Sequence, residues 1–236
     1  MSNLINFVGN KIKLYRKQKK LSVEELAIEI GKSKSTVSKY ETGKIVIDIE
    51  TLNDIAHALG ISISQLIDYE DENTMSEEEL RGFFSNNRFY IYFFDGRVRK
   101  ITKGLLQINK KIKNSVRNAS IYMGVDNFTT PDNCKTLYYG EVEVHDIVTN
   151  MIFTNQANEI EKINIIAINP MSNEVTVSAL MSGISGNPFI PAAFKCLISL
   201  KPLKEDEDFL NNLKFNKDDI KLIKKYNFFT NQRLFM

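Results

Sequence analysis

Between Leu21 and Gly43 the chain reads LSVEELAIEIGKSKSTVSKYETG, and few folds accommodate that order of residues. Ser22 is followed three positions later by Glu25, a capping box: the hydroxyl takes a free backbone N–H at a helix start and the carboxylate reaches back to another. Leu26, Ala27 and Ile30 then fall on one helical face. Gly31 stands where that helix must end and a residue with positive φ is useful. Ser33 caps a second helix, about Ser33–Glu41, on which Val37 and Tyr40 are three apart and face one core. Lys34, Ser35, Ser38 and Lys39 are left pointing outward or to the flanks, and Gly43 closes the helix. The expectation is two short helices about a tight turn, the second with small polar and basic side chains outside. A helix that enters the DNA major groove needs such a face, with short side chains near its N-terminus to approach base edges and cations for phosphates. The plainer alternatives are an ordinary αα-hairpin, which leaves that polar face unexplained, and lysines that are merely solvated.

The stretch resembles the Cro/phage-repressor (XRE-type) helix-turn-helix family. The matching residues are Arg16, Leu21, Glu25, Leu26, Ala27, Gly31, Ser33, Thr36, Val37, Ser38, Glu41 and Gly43, then Leu52, Ala56, Leu59, Gly60 and Leu66, over roughly residues 4–69 without a gap. The resemblance implies a five-helix DNA-binding domain over residues 1–69 whose third helix reads bases. By that resemblance Lys34, Ser35 and Lys39 face the bases, and Ser33, Thr36, Ser38 and Lys44 contact phosphate or groove edges. Arg16 joins this DNA-binding set through an ion pair with Glu41 that locks the first helix to the third. Many relatives carry Gln at the position of Val23, where it buttresses a base contact or touches phosphate, and valine cannot do so.

Charge supports the same end of the chain. The overall balance of +2 conceals a division. Residues 1–44 hold ten Lys or Arg against four acids, a net of +6, whereas residues 45–80 hold ten acids and no Lys or Arg. A concentrated basic surface is the electrostatic footprint of nucleic-acid binding. The acidic block begins where the chain is expected to turn away from phosphate.

Helix one is expected from about Leu4 to Lys19, with Ile5, Val8, Ile12 and Tyr15 on one face. Helix four follows Asp48, a good cap, and buries Leu52, Ile55, Ala56 and Leu59; helix five starts near Ser62 and carries Leu66 and Ile67. His57 is read as a surface or rim histidine. Residues 70–85 read as an acidic linker, with a short helix possible from Ser76 to Phe84.

From about Arg88 the periodicity changes. FYIYFFDGRVRKITKGLLQI places two strand-like runs around Asp95-Gly96, a strong hairpin signal. Further β-rich runs lie at 120–125, 136–156, 162–169, 174–184 and 192–200, separated by short turns such as Asn169-Pro170. The expected fold class is α + β in two domains: the five-helix module, then over residues 86–236 an antiparallel β-barrel or sandwich with terminal helices. A barrel mouth lined by aromatics such as Tyr90, Tyr92, Phe94, Tyr138 and Tyr139 would suit a small molecule, although these residues fit mere packing as well.

Catalysis finds little support. His145 lies beside Asp146 and Ser182 and Ser185 sit near a turn, but SGISGNP does not fit a nucleophile elbow. No phosphate-cradling glycine loop occurs. Cys134 and Cys196 are too few for a disulfide framework and lack metal spacing, so two reduced thiols, no metal and no cofactor are expected. No apolar run approaches the ~18 residues needed to span a bilayer. The N-terminus lacks a secretory pattern, so a cytoplasmic protein is expected.

The function expected is a bacterial-type transcriptional regulator, a homodimeric repressor on an inverted repeat of double-stranded operator DNA. Its β domain would dimerise it, sense a small-molecule or protein effector, or do both. The alternative is an antitoxin-like autoregulatory protein whose β domain binds a partner protein.

Overall fold

The computed structural model describes residues 3–67, 82–113, 116–185, 190–227 and 229–230. The chain separates into two compact units, Met1–Met75 and Ser76–Met236.

Among the described residues the first unit holds five helices: α1 (Asn3–Gln18), α2 (Val23–Glu29), α3 (Lys34–Glu41), α4 (Ile49–Leu59) and α5 (Ile63–Ile67). Periodicity explains their packing. Val8, Ile12 and Tyr15 of α1 are buried with Leu26, Val37, Ile55, Leu59 and Leu66, one apolar position or more from every helix. Asp48 caps α4 by accepting the Thr51 N–H at 2.8 Å. That bond, with the Thr51 hydroxyl second, holds the Asp48 carboxyl below its ordinary range. Leu52, expected in the core, is only half-buried, because α4 turns it to the edge of the apolar stripe; His57 is exposed. The acidic linker expected over 70–85 lies outside the described residues up to position 81, and Phe83–Ser85 forms a 3₁₀ turn.

The second unit settles the choice between barrel and sandwich. Strands β1 (Arg88–Asp95), β2 (Lys100–Lys113), β3 (Val116–Met123), β4 (Thr136–Val144), β5 (Val148–Asn155), β6 (Lys162–Ile168), β7 (Thr176–Ser185) and β8 (Ile190–Ser199) pair in sequence order, all antiparallel. β8 pairs back onto β1, with Ile91 opposite Ile198, so the barrel closes and leaves no sheet edge. The run read as 136–156 is two strands broken at 145–147. Helices α6 (Glu207–Leu213) and α7 (Lys217–Tyr226) follow, as the sequence leads one to expect.

Strand alternation assigns the two faces of the barrel wall. Phe89, Ile91 and Phe93 point in and join Ile121, Val142, Phe153, Ile165 and Ile198 in one apolar interior. Tyr90, Tyr92 and Phe94 point out. They pack against Phe128, Leu197, Leu203 and the α6 residues Phe209 and Leu213. Of the five aromatics that a barrel mouth would have needed, Tyr138 belongs to the interior and the three on β1 seat the outer coverings, so for those three the packing alternative holds. The physical reason is that β1 is apolar on both faces and both are covered.

The barrel ends differ. One is plugged by Phe83 and Phe84, whose rings lie 5.5 and 5.4 Å from that of Phe89. The inward Arg117 guanidinium donates to the Phe84 carbonyl and ties that plug down. At the other end a cavity of about 90 Å³ opens among Phe93, Met123, Tyr138, Glu161, Met181 and Phe194.

Candidate nucleic-acid interface

The interface is built on α2 and α3, and local chemistry fixes both. Ser22 and Glu25 form the full capping box: the Glu25 N–H donates to Ser22 Oγ at 3.1 Å and the Ser22 N–H donates to Glu25 Oε2 at 2.6 Å. These bonds, the backbone one foremost, hold the Glu25 carboxyl below its ordinary range. Gly31, at φ +63°, supplies the left-handed residue that ends α2 and turns the chain. Ser33 then caps α3, accepting the Thr36 N–H at 3.1 Å.

α3 divides cleanly. Val37, Tyr40 and Glu41 are buried, and Val37 has no exposed surface. Lys34, Ser35, Ser38 and Lys39 are exposed on the opposite side. The pairs 34/38 and 35/39 are four apart, so these four side chains form one contiguous outward patch. Ser33 is exposed, while Thr36 is half-buried with its hydroxyl 2.8 Å from that of Ser33. These two residues spend part of their hydrogen-bonding capacity on the cap. Lys44 is exposed just beyond Gly43. Lys34 also lies 3.2 Å from Glu24 across the turn; both side chains are about two-thirds exposed, so the pair contributes little and leaves the ammonium available. Val23 opens α2 and is half-buried.

Arg16 is not part of the exposed patch. It is buried, and its guanidinium is committed inside the unit: Nε and Nη2 donate to the two carboxylate oxygens of Glu41, the second at 2.9 Å, and Nη1 donates to the Leu21 carbonyl at 2.7 Å. One side chain thereby joins α1, the start of the α2 segment and the end of α3. Its influence on the patch runs through the placement of α3.

Gly9 was not singled out from sequence. It lies on the α1 face against α3, and an added Cβ would stand 2.4 Å from the Tyr40 carbonyl oxygen. The backbones of the two helices meet there. The available signal was a glycine inside an amphipathic helical run, a position that costs stability unless something approaches closely.

The basic surface is smaller than its charge count. Of the ten cations in residues 1–44, Lys11 and Arg16 are buried, whereas Lys13, Lys17, Lys20, Lys32, Lys34, Lys39 and Lys44 are exposed. Among the described residues no cluster of three or more His, Cys, Asp or Glu could hold a metal ion. No described helix is long and apolar enough to cross a membrane. Cys134 and Cys196 are both free and buried, and burial pushes the Cys196 thiol up to about 12.

Five helices, a glycine turn and a polar third helix locked to the first by a buried ion pair define a helix-turn-helix domain. The Helix-turn-helix family matches residues 12–66. Over 76 residues the chain is 37% identical to the HTH-type transcriptional regulator SlrR of Bacillus subtilis, covering 32% of this chain and 48% of that protein. Over 63 residues it is 35% identical to the uncharacterized HTH-type transcriptional regulator MJ0272 of Methanocaldococcus jannaschii, covering 27% of this chain and 96% of that protein. The chain thus spans about half the length of SlrR and nearly all of MJ0272. The crystal structure of the restriction-modification controller protein C.AhdI from Aeromonas hydrophila is 30% identical and covers 28% of this chain and 98% of that one, with a TM-score of 0.27. The chain belongs to the XRE-type helix-turn-helix family of transcriptional regulators.

Proposed function

We propose that this protein is a non-enzymatic transcriptional regulator that binds double-stranded operator DNA through α3, acting as a homodimeric repressor controlled through its β-barrel. One observation carries the reading: Lys34, Ser35, Ser38 and Lys39 form a continuous exposed patch on a helix whose opposite side is buried. In this reading Lys34, Ser35 and Lys39 approach base edges, and Ser33, Thr36, Ser38 and Lys44 contact phosphate or sugar. The curated relatives named above, both HTH-type transcriptional regulators, support the class of function. Dimerisation follows from size. One such module touches too little DNA for useful specificity, and two modules on half-sites about one helical turn, ~34 Å, apart remedy this. The preferred site is then an inverted repeat.

Footprinting on DNA upstream of the protein's own gene, at two salt concentrations, tests the reading. A discrete protected palindrome is expected, with affinity falling steeply between about 50 and 200 mM salt as counterions are released. Uniform weak protection without a palindrome would overturn it.

A further inference from the structure

We propose that the open end of the barrel is a binding site for a small primary-ammonium ligand, which sets its charge against Glu161 and its short apolar tail in the cavity behind it.

The cavity has two kinds of wall. Its depth is apolar and polarisable: Phe93, Phe194, Met123, Met181 and Ile163, with the two phenyl rings 5.1 Å apart. Its rim carries Arg97, Tyr138 and Glu161. The Glu161 carboxylate is held in place from the barrel wall. The Tyr138 hydroxyl donates to Oε1, and Asn155 Nδ2 donates to Oε2 at 2.7 Å. Tyr138 and Asn155 face one another across the β4–β5 pairing, and both are buried. Two neutral donors on facing strands thus fix the carboxylate, one on each oxygen. A carboxylate has about four acceptor directions, so about half remain free.

Charge decides the sign of the ligand. Arg97 is already engaged: Nε and Nη2 both donate to Asp95, at 2.9 and 2.7 Å, so that pair is neutral as a unit. Glu161 has no cationic partner among the described residues. The described lining therefore carries one net negative charge in a cavity that also holds two phenyl rings, an arrangement that attracts a cation. An anionic ligand would meet Glu161 and find the Nε–Nη2 edge of the Arg97 guanidinium already taken by Asp95. Volume decides the size. About 90 Å³ is roughly three-fifths of the ~150 Å³ cavity that accepts benzene, which suits a tail of about three to five carbons. The opposite end is plugged by Phe83 and Phe84, so among the described residues the rim is the way in and out. Binding is independent of the DNA reading; only use of the site by an effector rests on it.

The test is an NMR titration of the full-length protein, without DNA, with the methyl groups of its seven methionines labelled with carbon-13. The probe is n-butylammonium, compared with n-butanol and butyrate. Saturable shifts centred on Met123 and Met181 are expected with n-butylammonium, binding at least about tenfold weaker with butanol, and none with butyrate. Glu161→Gln is expected to weaken n-butylammonium binding at least about tenfold. Tyr138→Phe, which keeps the charge and loses one anchor, is expected to weaken it less, and it keeps the test open if the first variant does not fold. Equal affinity for butanol or butyrate, unmoved Met123 and Met181 signals, or undiminished affinity in Glu161→Gln would overturn the proposal. A missing footprint would leave this titration standing, so failure of the DNA reading and failure of this site are separately visible.

Discussion

Gly9 of α1 and Tyr40 of α3 mark a backbone-to-backbone contact, for a Cβ on Gly9 would lie 2.4 Å from the Tyr40 carbonyl oxygen. Neither partner can swing away as a side chain would, because the obstructing atom belongs to the helix itself. Gly9→Ala must therefore push α3 outward or strain it. Overpacking of this kind typically costs about 1–3 kcal/mol. A lower thermal midpoint, read from the helical circular dichroism signal, is expected together with weakened operator binding. An unchanged midpoint would mean that α1 and α3 separate more freely than their packing implies.

The Arg16–Glu41 pair invites a sharper test. Both residues are buried, and the guanidinium also serves the Leu21 carbonyl. Removing one partner of a buried pair leaves the other charge uncompensated, at a cost of about 3–5 kcal/mol. Arg16→Ala is expected to destabilise by about that amount in urea unfolding. Replacing both by apolar residues of similar volume, Arg16→Met with Glu41→Leu, is expected to recover much of it. If the double variant were as unstable as the sum of the singles, the pair would not act as a unit.

These two contacts show how legibility varies along the chain. The capping box at Ser22 and Glu25 and the glycine turn at Gly31 are local devices, encoded within a few residues, and they could be read directly. The role of Gly9 depends on a helix 31 positions away. The barrel makes the same point. The Asp95-Gly96 hairpin was legible as turn chemistry. The break between β4 and β5 was not, because residues 145–147 contain neither Gly nor Pro. That turn is held from a distance: the Asn169 side chain donates to the His145 carbonyl, and the Asn169 N–H donates to the Ile147 carbonyl at 2.7 Å. Likewise, β1 alternates between two apolar faces, and only the presence of Phe128 and Phe209 outside tells which aromatics leave the interior. Glu161, Tyr138 and Asn155 are individually ordinary residues that the β4–β5 register and the turn between β5 and β6 bring together.

The Asp95–Arg97 pair gives the barrel a definite pH dependence. Hydrogen bonds from the Arg97 side chain, foremost among the causes, hold the Asp95 carboxyl below its ordinary range. A carboxylate depressed in the folded state contributes stability above its unfolded value, about 3.9, and loses that contribution as pH falls through the folded value. Arg97 is 45% exposed, so screening limits the effect to roughly 1 kcal/mol or less. Asp95→Asn is therefore expected to lower the urea midpoint slightly at pH 7, and the gap from the parent protein is expected to close as both are taken below about pH 4. A gap that widened in acid would reverse the assigned sign.

Lys39 distinguishes base reading from simple attraction to phosphate. It is exposed on α3 four residues after Ser35, within the outward patch. If its ammonium donates to base edges, Lys39→Ala should cost about 1–3 kcal/mol on the operator and much less on random duplex, and it should relax preference at one base position. If it sits on the backbone, the loss should be nearly equal on both, and the slope of log affinity against log salt should shrink by about one. Lys44, lying beyond Gly43 and off the helix, is expected to follow the second pattern. Binding curves for the parent and the two single variants, on operator and on scrambled DNA at two salt concentrations, separate the cases. Retention of full operator affinity by both variants would remove α3 and its flank from the contact surface, and with them the proposed mode of DNA binding.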